Sequence, residues 1–192
     1  MEPTLFLVRH AETEWNRAGR YQGQSDPPLS AHGEIQAKHL ACSLAPIHVS
    51  AVLTSPLQRA RKTAVALAER AGLAAVSDVR LMELAFGRWE GLTQAEVKSR
   101  WPELLRLWKR APDQIRFPGG ETLHDLRCRV QSFLSEVARQ PGPVLAVTHE
   151  AVIRVAILEV RGEPLSEYRR VHVANASVTP IALRANHLPQ CR

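Results

Sequence analysis

Two short apolar runs in this chain end in the same way. Leu5–Val8 is aliphatic and aromatic throughout and gives way to Arg9-His10, and Val144–Thr148 gives way directly to His149. Runs of this length, cut off by polar residues, read as strands buried on both faces. Such strands belong to sheets covered by helices on both sides, where ligands bind outside the carboxyl ends of the strands. Taken alone, Arg9-His10 is equally well read as a strand ending in two surface polar residues. The rest of the chain decides between the two readings.

The intervening residues alternate helical and strand patterns. Arg17–Pro28 is polar, carries glycine and reads as loop. Ser30 is placed to cap a helix whose Ala37, Leu40, Ala41 and Leu44 fall at helical spacing, with Pro46 ending it. Val49–Thr54 reads as a second strand. Ser55-Pro56 reads as cap and first turn of a helix with Leu57, Ala60, Ala64, Leu67 and Ala68 on one face, stopped by Gly72. Ala74–Ser77 reads as a weak third strand, and 80–91 as irregular. Leu92–Arg110 reads as two short helices broken at Pro102. Thr122 with Asp125 resembles a capping box before a long amphipathic helix, and another helix runs from after His149 to Gly162. The tail, with Val171, Val173 and Val178–Leu183, reads as a terminal pair of strands around Asn175-Ala176. This order predicts a three-layer α/β/α sandwich with a mostly parallel central sheet, one antiparallel edge strand and a small helical cap.

A chain of 192 residues, 45% of them hydrophobic, predicts one domain with a full core. A net charge of +6 favours anionic partners, but the 25 lysines and arginines form no long run, which argues against nucleic acid. The three cysteines, Cys42, Cys128 and Cys191, have no metal-ligand spacing and predict no disulfide framework. Cys42 and Cys128 fall in helical patterns, where small core or boundary residues are expected. Met-Glu-Pro followed by a brief apolar run is not a secretion signal, and no stretch is long enough to span a bilayer. A cytoplasmic protein working without a membrane is expected.

If both histidine-terminated strands are central and parallel, His10 and His149 share one crevice. The helix after Ser55 begins at that same edge, so Arg59 in its first turn can point back, whereas Arg61, about 200° further around by ~3.6 residues per turn, cannot. Two guanidiniums, Arg9 and Arg59, suit a phosphoryl group. A neutral histidine can attack phosphorus, and fixed cations stabilise the charge that develops. Each residue alone is ordinarily a solvated charge or a loop histidine; their convergence on one edge is not. Cations beside the histidines disfavour a metal.

These residues resemble the histidine phosphatase superfamily, in the branch that holds cofactor-dependent phosphoglycerate mutases and small phosphatases. The motifs run in order through most of the chain: Leu7–Asn16, Gln22-Gly23 with Asp26–Ser30, Thr54–Ala64, Glu83–Gly91, Pro118–Thr122 and Val147–His149. The resemblance implies a single domain over 1–192 with 84–118 as a small inserted cap. It implies that His10 is phosphorylated and that Arg9, Arg59 and His149 hold the phosphoryl group. It adds Asn16, Gln22 and Gly23 as further contacts and Glu83 as proton donor and later base. Glu90 is the competing acid, read as structural and paired with an arginine. Neither a metal nor another cofactor is implied. Two positions depart from the pattern. Ala11 stands where glycine is usual, and Glu150-Ala151 where two glycines are common; Glu150 is expected at a helix start, facing away from the phosphate.

The activity so implied is metal-independent hydrolysis of small phosphate monoesters through a phosphohistidine on His10. The alternatives are a phosphoglycerate mutase, disfavoured by a chain shorter than the mutases it resembles, and a non-catalytic phosphate-binding module, disfavoured by the full set of reactive residues. The partner is a small phosphate ester, and a homodimer is left open. Trp89, Trp101 and Trp108, with Phe86 and Phe117, cluster in 84–117. They are expected to form a partial lid selecting esters with an apolar or ring-containing group.

Overall fold

The structure, a computed structural model, describes residues 4–44 and 48–183. Five strands, β1 (Thr4–Arg9), β2 (Ala51–Thr54), β3 (Ala75–Ser77), β4 (Val144–Thr148) and β5 (Val178–Ala182), form one sheet in the order β3-β2-β4-β1-β5. All pairings are parallel except that of β5 with β1. The helices are α1 (Glu14–Arg17), α2 (Ala31–Ser43), α3 (Gln58–Ala71), α4 (Gln94–Arg100), α5 (Pro102–Arg110), α6 (Leu123–Val137) and α7 (Glu150–Arg161).

The alternation of side chains along the central strands divides the core in two. Leu5, Leu7, Val144 and Ala146 face a large cluster built with α6, α7 and the aromatic residues of 86–117. Val8, Val52, Leu145 and Val147 face a smaller one with α2 and α3. This is the three-layer sandwich, with the antiparallel strand at the edge. The parallel register sets Leu5 beside Val144 and Arg9 beside Thr148. The residues that follow, His10 and His149, therefore leave the sheet at the same level, and the His10 amide donates to Thr148 O at 2.9 Å.

Local chemistry accounts for the helix ends. Ser30 Oγ accepts from the Gly33 amide at 3.0 Å, and Thr122 with Asp125 forms the expected capping box. Gly72 and Gly162 close α3 and α7 in the left-handed conformation.

Four expectations need correcting. The helix after β2 starts at Gln58 rather than Pro56, with Leu57 at the cap position and no side-chain cap. Among the described residues the tail holds one strand, not two: Leu165–Arg170 curls into a 3₁₀ turn, and the Val171 and Val173 side chains are buried without pairing in the sheet. Cys42 is a free, exposed thiol rather than a core residue. Cys128 is disulfide-bonded, against the reading of the cysteines as unbridged. The expected stop at Pro46 lies outside the described residues. No described helix is long and apolar enough to cross a membrane.

Candidate active site

At the carboxyl edge of β1 and β4 lies a cavity of about 290 Å³, bordered by Arg9, His10, Asn16, Gln22, Gly23 and Glu83 among others. Arg59 and His149 are fully buried beside it rather than on its surface. The two imidazole rings are 5.1 Å apart, and Arg59 is the leading charged neighbour of both. Arg61 is exposed on the other side of α3. Every phosphate-site residue expected from the sequence is thus in one place.

Each side chain is held by identifiable contacts. His10 Nδ1 lies 2.7 Å from Ala11 O; a carbonyl only accepts, so Nδ1 carries the ring proton and Nε2 keeps its lone pair. Ala11 needs no glycine conformation: Ala176 is the only described non-glycine residue with positive φ. Its amide donates instead to Thr63 Oγ1 at 3.1 Å. Burial, with Arg59 second, holds the pKa of His10 well below the ordinary 6.5, so the imidazole is neutral at neutral pH.

His149 Nε2 is 2.8 Å from Ser55 Oγ. That hydroxyl also accepts from the Leu57 amide at 3.3 Å. Nδ1 of His149 is buried without a partner. Burial and Arg59 likewise hold His149 well below the ordinary value. Ser55 was read from the sequence as a helix cap and as part of the Thr54–Ala64 motif, without a role of its own at the site; its place at a strand end level with His149 is the signal that would have found this contact.

Arg59 Nη1 and Nη2 donate to Ser25 O at 2.8 Å and Gly23 O at 2.7 Å, leaving Nε buried and unpartnered. Gly23 adopts φ +55°, and a Cβ there would fall 2.1 Å from Glu90 Oε1. Glu90 is structural as expected, but its partners are not arginines. It accepts from the amides of Gln24, Ser25 and Phe86 and from Ser25 Oγ at 2.7–3.1 Å, and so shapes the loop that grips Arg59. Gln22 Oε1 accepts from Thr13 Oγ1 at 3.0 Å. Asn16 Oδ1 accepts from the Thr13 amide at 3.0 Å, and its donor Nδ2 is the atom left for a ligand.

Glu83 is nearly buried. Its Oε1 accepts from the Leu84 amide at 2.9 Å and from the Ala151 amide, at the start of α7, at 3.2 Å. Burial is the main force raising its pKa, and Glu150 adds to it. Arg129, which the sequence did not single out, donates to Glu83 O at 3.0 Å and to Arg80 O and Met82 O, fixing this segment.

Glu150 does stand at the first position of α7, but it does not turn away. It borders the cavity and pairs with Arg9 at 2.9 Å and with Arg154. The lid aromatics also differ from expectation. Trp89 and Phe117 are fully buried, stacked edge to face with each other and with Tyr21, Phe86 and Trp108. Among the tryptophans and phenylalanines of this segment, only Phe86 and Trp108 reach the cavity. Arg20, Gln94, Lys109, Arg154 and Arg169 add charge and hydrogen-bonding groups to the wall, beside the rings of Tyr21 and Tyr168. The segment is mostly core, and it contributes two rings to the cavity rather than a lid of five.

A neutral imidazole lone pair beside a buried and a partly buried cation, with a carboxyl whose pKa burial raises, defines a phosphoryl-transfer site. The sequence profile of the histidine phosphatase superfamily (branch 1) matches residues 5–190, and the chain belongs to that family. It is 39% identical over 179 residues to phosphoserine phosphatase 1 of Hydrogenobacter thermophilus, covering 92% of this chain and 85% of that one. It is 36% identical to the probable phosphoglycerate mutase GpmB of Serratia proteamaculans, covering 92% and 83%. A mycobacterial glucosyl-3-phosphoglycerate phosphatase, solved with VO3, superposes with a TM-score of 0.85 at 33% identity, over 93% of this chain and 92% of that one. The protein is therefore an enzyme of the phosphatase and phosphoglycerate-mutase-like group.

Proposed function

We propose that this enzyme hydrolyses small phosphate monoesters through a phosphohistidine on His10. One observation carries the reading. Arg9 Nε, Arg59 Nε and His149 Nδ1 are all buried without partners, on the residues whose charges and ring act on His10. Buried polar groups are ordinarily satisfied, and a phosphoryl group would meet all three.

His10 Nε2 attacks phosphorus, the P–N bond forms and the ester P–O bond breaks. Arg9, Arg59, His149 and Asn16 take the charge spread over the equatorial oxygens, with the loop of Gln22 and Gly23 closing around them. Glu83 gives its proton to the departing alkoxide. The resulting carboxylate then takes a proton from water as that water attacks the phosphohistidine, which restores neutral His10 and releases phosphate. No step calls for a metal or another cofactor.

We also assign 1–192 to a single domain with 84–118 as its cap. The charged groups of the wall suit small esters that carry further polar or anionic groups. Names of relatives point the same way, two of them to phosphatases. The cytoplasmic placement drawn from unbridged cysteines loses that support at Cys128. The test is an alkaline quench of enzyme turning over a panel of phosphorylated metabolites without added metal. Intact mass should show one phosphate, base-stable and acid-labile, that is lost in His10→Ala. A wild-type enzyme that hydrolyses esters without ever carrying phosphate would refute the reading.

A further inference from the structure

Glu150 puts a carboxylate where the phosphate-binding guanidinium needs none. Its Oε2 lies 2.9 Å from Arg9 Nη2, and its Oε1 contacts Arg154 Nη2 one helical turn on. Arg9 Nη1 is held by Val173 O at 2.5 Å. Both terminal nitrogens of Arg9 thus carry acceptors from the chain itself, and one acceptor is an anion. A phosphoryl group arriving at Arg9 meets this like charge within a few ångströms, and like charges sharing one cation oppose each other's binding.

The surroundings show where the carboxylate can go. The Glu150 side chain is 29% exposed, so it has solvent on one side, while Arg9 is anchored through Val173. Arg154 is fixed. Its guanidinium lies over the Tyr168 ring, 5.0 Å from the centroid, and its Nε is buried with no partner. It already holds one oxygen of Glu150 and has an unused donor for more.

We propose that Glu150 is a built-in anion competing with the phosphoryl group for Arg9, and that Arg154 receives the carboxylate when phosphate binds. Glu150 then sets how tightly substrate and released phosphate are held, and Arg154 is a positioning residue acting through it. The proposal rests on the reading of the cavity as a phosphate site. Its consequence is weak product inhibition, since the carboxylate re-forms its pair with Arg9 as phosphate leaves.

The test is a double-mutant cycle read by calorimetric titration with inorganic phosphate and with orthovanadate. Glu150→Gln keeps the shape and removes the charge, and should tighten both ligands about tenfold, or about 1.4 kcal/mol. Arg154→Gln leaves the carboxylate on Arg9 alone and should weaken both about tenfold. In the double variant the loss due to Arg154→Gln should vanish, because no carboxylate remains to be received. Should Glu150→Gln fold poorly, Glu150→Gly carries the same expectation. Unchanged or weaker binding in the Glu150 variants overturns the proposal. A loss that persists undiminished in the double variant shows that Arg154 contacts phosphate directly and overturns its assigned role. Failure of the wild-type enzyme to bind either anion is a different result, and refutes the phosphate site itself.

Discussion

Replacing Glu83 by Gln isolates the proton from the structure that carries it. The Oε1 of Glu83 accepts two backbone amides, at 2.9 and 3.2 Å, and the Gln carbonyl can accept both. The amide nitrogen then stands where the carboxyl proton was, able to donate a hydrogen bond but not to surrender a proton. The fold and the phosphate contacts are kept, so the loss is that of general acid catalysis. Such a group contributes about 10²–10⁴-fold where the leaving group needs a proton, which is about 2.7–5.5 kcal/mol of barrier. An alkyl phosphate must lose an alkoxide; a nitrophenyl phosphate loses a stabilised phenolate. We expect kcat/KM to fall at least about 100-fold for alkyl esters and less than about tenfold for the nitrophenyl ester. The ratio kcat/KM is the proper measure because it reports steps only through release of the alcohol, before Glu83 acts as base. With the nitrophenyl ester, slow dephosphorylation should then appear as a burst of phenolate followed by a low steady rate. In the wild type, alkyl turnover should decline as pH rises through the Glu83 pKa, which burial lifts above the ordinary carboxyl value. That limb should be missing in the variant. Equal losses in kcat/KM for both esters would refute Glu83 as the proton donor.

Other outcomes follow from the same geometry. His10→Ala should abolish turnover and phosphoenzyme together while circular dichroism stays native. At neutral pH, Glu83→Gln should raise Tm: a carboxyl with a raised folded pKa loses stability as pH climbs from the ordinary 4.5 through that pKa, so the gain should vanish below about 4.5. His10 and His149 have lowered folded pKa values, so their contribution is complete above 6.5 and lost below it; the fall in Tm on acidification should be shallower in His10→Ala. Gly23→Ala forces a left-handed residue and drives its Cβ towards Glu90, so it should cost about 1–3 kcal/mol of stability and raise KM through the Arg59 loop. A native Tm and KM would show that the loop adapts.

What was legible in the sequence was whatever a period or a cap encodes. The choice of Arg59 over Arg61 needed only the turn of a helix, and the shared level of His10 and His149 needed only two parallel strands. The tail misled because Val171 and Val173 alternate like a strand, yet their side chains go into the core and Val173 O is taken by the Arg9 guanidinium rather than by a neighbouring strand. The aromatic segment misled for a related reason: composition shows that rings cluster, not which side of them is wet. The outer wall was invisible. Arg20, Gln94, Lys109, Arg154 and Arg169 come from separate elements, and nothing in their local spacing marks their convergence. Glu150 was visible as a departure, but its direction depended on Arg9 and Arg154 both lying within reach.

The chemistry of the site also follows from the packing that makes the fold. An exposed imidazole is partly protonated near neutral pH, and an exposed carboxyl is almost wholly ionised; in that state neither could begin this reaction. Burial moves the two in opposite directions, His10 down and Glu83 up. Each is thereby shifted towards the form the reaction needs, the nucleophile towards a free lone pair and the acid towards keeping its proton, which is how environment separates acid and base roles. Arg59 adds to the separation at His10 by favouring the neutral ring, but at Glu83 it works the other way, since a cation favours the carboxylate. Desolvation outweighs it there, and Glu150 reinforces desolvation. The one carboxylate that opposes phosphate at Arg9 therefore also helps to keep the proton on the acid that expels the leaving group. Weaker ground-state binding and a better-protonated acid favour turnover over retention, as a phosphatase releasing its product to water requires.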